Sequence, residues 1–412
     1  MGEYKIVVRD RELIPIGQID DYIEFTATLK FCDTGQWTLK IQAGLPHARL
    51  LQPGCGIIVY RNGVEKPILS GPVQGIQKYW TIDTDSGPGA LFVSGADDNY
   101  IMQSHVCYPD PSNPLDKQST TSDTTTALTA SHALQSVISR NSGSESLDSR
   151  KPFGYLTPTS VGTWKYDEYG PVTPYSLRFD NLRDAVKTIA EAGGIGWRNV
   201  YDPETRTIRL ETFQVRDRTG MIRFSPDLGN LKEFVYSMTA PKVTRAIVAA
   251  QGEGKERFIT SYIDKEAEDY WGVIAEQFVD ARDVPLKKDK TGKPVLVGEV
   301  EAGTTVQSCL VTMGQRGQEV LSQNQSQGNM QVYPVDTPSL TFGVHWWLGD
   351  KVTCVVDGTV HQDIVRQVTI SDSAEGSSIT PNVGNQGTDA PTNVFGEIKA
   401  LWRKVNQLSS RM

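Results

Sequence analysis

Side chains able to do chemistry gather in three places along this sequence. The stretch "GVHWWLGDKVTCVVDG", Gly343 to Gly358, sets His345, Trp346, Trp347 and Asp350 close together. Two rings beside an imidazole and a carboxylate could form a ligand platform or part of an active site, or could plug the wall of a β-structure. The acid pairs Asp97-Asp98 in "SGADDNY" and Asp167-Glu168 in "KYDEYG" could in principle work as general acid and base. Glycoside hydrolysis needs two carboxyl groups about 5–10 Å apart across a cleft, whereas adjacent acids in polar loops are more often turn residues. The stretch "GTWKYDEYGPVTPY" carries Trp164, Tyr166, Tyr169 and Tyr175. Such rings could contact a glycan, or could pack on the protein itself or on a neighbouring subunit.

Nothing else in the chain has the spacing of a catalytic or ligand motif. There is no G-x-S-x-G, no GxxxxGK[ST] and no HExxH. "GEGKER" from Gly252 lacks the spacing of a phosphate loop. The five histidines, His47, His105, His132, His345 and His361, are far apart, with no i,i+4 pair. The five cysteines, Cys32, Cys55, Cys107, Cys309 and Cys354, form no CxxC. A zinc site or disulfide framework is not expected; small core residues in a protein assembled in a reducing cytoplasm are. The residues thus point to no catalytic set, no cofactor and no metal, and so to a non-enzymatic protein.

The bulk numbers agree. The 412 residues carry a net charge of −8, with 38 % hydrophobic and 22 % charged residues. An acidic chain lacks the basic footprint of nucleic-acid recognition. "LKKDKTGK" from Leu286 is locally basic but reads as a solvated hairpin tip. No apolar run is long enough for a membrane helix. No secretory signal is expected at "MGEYKIVVRD", and Ile6 stands where a myristoylation motif needs Ser or Thr.

The elements that must position these side chains are mainly strands. Residues 1–107 hold short alternating runs such as "YIEFTATLKF" and "GQWTLKIQAG", punctuated by Gly, Pro, Asn and Asp, as in a barrel or sandwich. The alternation puts Trp37, Leu39 and Ile41 on one face, Thr38 and Lys40 on the other. Residues 108–245 read as a Pro/Ser/Thr-rich loop, a helix capped by Asp123 or a nearby Thr, and an α+β insertion able to return strands to the first barrel. There, Asn181 or Asp180 caps a helix ended by Gly193-Gly194, and a hairpin turns at Asp202-Pro203. Residues 246–380 read as a second barrel, with a helix at Met313 to Gln325. Gly349-Asp350 would make the tight turn that opens a closing strand, with Trp346 and Trp347 on opposite faces of a strand.

"PNVGNQGTDAPTN" gives a flexible linker over residues 381–392. Over residues 393–412, Val394, Ile398, Leu401, Val405 and Leu408 recur at steps of four and three, the a/d seam of a heptad helix. A lone helix of this length is marginal in water, so the seam points to association. β-branched a positions with Leu at d favour two strands, while Phe395 and Trp402 widen the stripe toward three or more.

Taken together, "VVRDRELIPIGQIDDYIEFTATLKFCDTGQWTLKIQAG", "LLQPGCGIIVYRNG" with "ILSGPVQGIQK", and the closing "WWLGDKVTCVV" and "VRQVTISDSAEGSSITPNVG" resemble the siphovirus ReqiPepy-type tail proteins of actinobacterial phages. The resemblance spans roughly residues 4–385 and is sharpest at the two ends. It implies a baseplate hub or tail-tip protein in the virion, assembled in the bacterial cytoplasm. Each chain would supply two tube-type β-barrels, and a homotrimer would form a pseudo-sixfold ring. The implied partners are the distal tail protein, the tape measure protein and downstream tip or fibre proteins. The other reading is a tail protein that binds or degrades host glycans, using Trp164, Tyr166 and Tyr169.

Overall fold

The computed structural model describes residues 3–81, 88–298, 304–324, 327–334, 340–356 and 358–384. The expected linker over residues 381–392 begins too early, since Pro381 to Val383 complete the strand Gly376–Val383. The rest of it from residue 385, and the seam residues Val394, Ile398, Leu401, Val405 and Leu408, lie outside the described residues. The chain forms two compact units, Met1–Val235 with Met330–Val383, and Tyr236–Asn329.

The first unit packs two antiparallel sheets around one core. One sheet runs Pro15–Ile19, Tyr4–Arg9, Gly56–Arg61, Leu69–Pro72. The other places Gly75–Tyr79, Ala90–Ala96, Gln36–Gln42, Glu24–Lys30, Thr359–Ser373 and Gly376–Val383 side by side in that order. Lys351–Val356 pairs with the first part of Thr359–Ser373. Period-two alternation does the sorting: Trp37, Leu39 and Ile41 are buried while Thr38 is exposed and Lys40 half-buried. Ile6, Val8, Ile57 and Val59 of the first sheet meet Phe25, Leu39, Val93 and Val368 of the second. Each such side chain contributes about 1.5–3 kcal/mol on leaving water. Gly71 lets the backbones touch, because a Cβ there would stand 1.9 Å from the Ala96 carbonyl oxygen.

The structure departs from the expected boundary at residue 246. The strands between Lys351 and Val383 do not stand apart from the N-terminal ones. Thr359–Ser373 lies directly against Glu24–Lys30, Val368 opposite Leu29 and Ile370 opposite Ala27. Alternation shows which face a residue takes but not which strand lies beside it, so a pairing across the length of the chain leaves no local mark. The fold is mainly β with helical additions, and the described sheets run as open paths.

Within the same unit, helices Ala130–Asn141 and Leu182–Gly193 share a second core with Ile195–Asp202 and Thr207–Gln214. The Asn181 side chain accepts from the Arg183 N–H at 3.0 Å, and Gly194 ends the helix at φ +61°. The hairpin turns where Asp202 accepts from the Glu204 and Thr205 amides. The earlier helix has Thr129, one of the threonines that follow Asp123, at its N-cap position rather than Asp123 itself. Asp123 sits in a short strand against Tyr175–Leu177 and pairs with Arg140 at 2.8 Å.

The second unit centres on Arg245–Ala249, flanked antiparallel by Ile259–Ile263 and parallel by Glu276–Asp280. Helix Val306–Gln323 begins earlier than the expected Met313, where Thr305 and Ser308 form a capping box. Its Cys309 and Met313 pack with Val248, Ala281 and Leu286. "LKKDKTGK" is the tip of the hairpin Leu286–Lys288 with Pro294–Leu296, held by Asp289 accepting from Thr291 and Lys293. No helix among the described residues is long and apolar enough to cross a membrane.

Candidate functional site

Trp346 and Trp347 do not lie on a strand. Gly343 and Gly349, at φ +88° and +89°, turn the backbone on either side of them, and the strand begins only at Lys351. The turn separates the rings by environment. Trp346 is 1 % exposed, edge-on to Phe224 at 5.6 Å, tilted against Phe342 at 4.9 Å, and donates to the Leu340 carbonyl at 3.3 Å. Trp347 is half-buried and stacks on Phe342 at 4.6 Å. Asp350 is buried and holds the turn, accepting from the Trp347 amide at 2.8 Å and from Arg216 Nε and Nη2 at 2.7 and 2.9 Å. His345 accepts the Thr341 amide at 3.0 Å, so its ring braces the backbone.

Gly349 is required twice over. Its φ favours glycine, and a Cβ there would stand 2.7 Å from Phe31 and 3.1 Å from Phe213. Gly349→Ala is expected to lower stability by about 1–3 kcal/mol, read from urea midpoints. An unchanged midpoint would show that the rings give way freely.

This turn forms one wall of a cleft of about 370 Å³. Phe31, Phe213, Val64 and Val344 supply apolar lining. The Arg198 guanidinium lies 5.4 Å from the Phe213 centroid and 5.8 Å from that of Trp347, and bonds Glu211 at 2.7 and 2.9 Å. These residues come from separate segments, and of the lining the sequence draws attention to Asp97, Trp346, Trp347 and Asp350 but not to Phe31, Arg198 or Phe213.

Asp97 and Asp98 are buried rather than solvated turn acids. Asp98 pairs with Arg9 at 2.6 Å and accepts from Ser70. Asp97, in the cleft wall, accepts from the Asn99 amide at 3.1 Å and Asn99 Nδ2 at 3.3 Å. Burial, with the nearby Asp98 charge adding to it, pushes the Asp97 carboxyl up from 3.8 to about 8. A carboxyl raised by folding binds more protons folded than unfolded, so stability falls as pH climbs from about 4 to about 8 and is flat above. Asp97→Asn should remove that slope, gaining on the wild type through this window and not below it. Parallel denaturation curves for the two proteins across the window would contradict a raised pKa.

The aromatic stretch does not form a platform. Tyr175 is in the second core and Tyr169 packs against it. Tyr166 lies tilted against the His132 ring at 4.8 Å and donates to Glu145, with burial first and that carboxylate second raising its hydroxyl pKa. Asp167 accepts from Gln135 and Thr212, and Glu168 from Thr129 and His132. Only Trp164, 38 % exposed, offers a ring. No group of three or more His, Cys, Asp or Glu placed to hold a metal occurs among the described residues.

The model of the siphovirus ReqiPepy6 Gp37-like protein family matches residues 5–385. The chain belongs to this family. No curated protein matches it. Among solved structures, this Gp37-like chain is similar to the 43 kDa tail protein of prophage MuSo2 from Shewanella oneidensis, with TM-score 0.54 and 13 % identity over 92 % of this chain and 98 % of that one. It is also similar to a tail protein from Neisseria meningitidis MC58, with TM-score 0.51 and 12 % identity over 94 % and 98 %. At these identities the likeness is one of fold, and it is the fold of phage tail proteins.

Proposed function

We propose that this Gp37-like protein is a structural tail-tip hub of the virion. The observation that carries this is the family match over residues 5–385 of the 412. In this reading three copies close into a pseudo-sixfold ring, each giving two tube-type barrels, and the ring joins the tail tube to the tip. The distal tail protein, the tape measure protein and the tip or fibre proteins are the partners, met during assembly in the bacterial cytoplasm. The role is one of symmetry and closure rather than catalysis or nucleic-acid or membrane binding. The turn at Gly349 and Asp350 serves the wall of one subunit, and the Val394, Ile398, Leu401, Val405 and Leu408 seam ties the three together. A glycan-binding role loses support because Tyr169 and Tyr175 pack inward.

Light scattering of the purified chain tests the ring. The expected mass is that of a trimer, falling to a monomer when residues 393–412 are deleted. A stable dimer that survives the deletion would count against both ring and seam. Gold labelling of the chain in intact particles should mark the tail tip.

A further inference from the structure

The 370 Å³ cleft of the first unit is large enough to take a side chain and its flanking backbone. Its walls have two characters. Phe31, Phe213, Val344 and Trp347 make an apolar, ring-lined interior, with Val344 57 % exposed at the surface. The charged lining is Lys30, Lys66, Arg198 and Arg216 against Asp97 and Asp350. Arg216 is matched by Asp350, and Arg198 by Glu211. Asp97 is buried beneath the surface and held by Asn99. Lys66 is exposed and Lys30 half-buried, and neither makes an ion pair among the described residues. The cleft therefore presents net positive charge on a protein of net charge −8.

We propose that this cleft is a socket for a peptide segment of another protein, one that inserts an aromatic or aliphatic side chain flanked by carboxylates. The ring-lined interior takes the anchor, and Lys30 and Lys66 meet the flanking charges. A conjugate of apolar anchor and carboxylate suits these walls better than a neutral sugar, which would leave both ammonium groups without a partner. Identifying that protein as a tail component rests on the hub reading; the chemistry of the socket does not.

The test uses the full chain at low salt and acetylated, amidated tripeptides, followed by saturation-transfer NMR. Asp-Phe-Glu should bind saturably at millimolar concentration and weaken with added salt. Lys-Phe-Lys should not bind, and Asp-Gly-Glu should bind at least about tenfold more weakly, a loss of about 1.4 kcal/mol. Lys30→Glu with Lys66→Glu should cost the Asp-Phe-Glu peptide a similar factor. Val344→Trp should block the cleft with both lysines in place, and circular dichroism should report both variants folded. No saturation by Asp-Phe-Glu would overturn the socket, as would equal binding of Lys-Phe-Lys. Displacement of Asp-Phe-Glu by a neutral chitin oligosaccharide would reassign the cleft to glycans. A wrong subunit mass with intact peptide binding would sink the ring and leave the socket standing.

Discussion

Replacing Arg9 with methionine is expected to lower the free energy of unfolding by about 3–5 kcal/mol, because it strands a buried carboxylate. Arg9 and Asp98 are each 3 % exposed and meet at 2.6 Å. Arg9 ends the strand Tyr4–Arg9, and Asp98 follows the strand Ala90–Ala96, so the pair ties one sheet to the other. Arg9 also lies 5.7 Å from the Tyr201 ring, which belongs to the α+β element. With the guanidinium gone, Asp98 keeps only the Ser70 hydroxyl as a side-chain donor among the described residues. Adding Asp98→Leu should recover much of the loss, since removing both charges is far cheaper than removing one. Chemical denaturation of the two variants decides this. A double variant no better than the single would mean that Arg9 acts through packing, as long basic side chains can.

The paired tryptophans should differ sharply under the same treatment. Trp346→Ala empties a site 1 % exposed among Phe224 and Phe342, and is expected to cost about 3–5 kcal/mol. Trp347→Ala gives up one stacked contact at a half-buried position and should cost about 1 kcal/mol. The same change should weaken the Asp-Phe-Glu peptide, since Trp347 lines the cleft. Equal destabilisation by the two variants would show that the turn is a single packed block and that the cleft wall is not free-standing.

How far the sequence reveals these features depends on the range over which each interaction acts. The Asn181 cap, the Gly194 stop and the Asp202 turn are set by neighbours a few positions away, and all are legible. So is the face carrying Trp37, Leu39 and Ile41. The turn around Trp346 and Trp347 is less so: "HWWL" has strand composition, and only the left-handed glycines on either side override it. The union of early and late strands is silent, because Val368 opposite Leu29 is specified by fit and not by any local signal. The cleft is silent for the same reason, with Phe31, the hairpin residues Arg198 and Phe213, and Trp347 arriving from three separate stretches. Asp97 and Asp98 resemble solvated turn acids until Arg9 and Asn99 are seen beside them.

The strand pairing has a consequence for how the protein is made. Tyr22 bonds Asp372, 350 positions further along the chain, beside the register that joins Glu24–Lys30 to Thr359–Ser373. During translation the early strands must wait, one edge unpaired, until nearly all of the chain has left the ribosome. Such high contact order slows folding, and waiting edges invite aggregation. It also means that a prematurely terminated chain cannot complete this sheet. The fold thereby acts as its own proofreader, withholding a complete sheet until the strand Gly376–Val383 has been made.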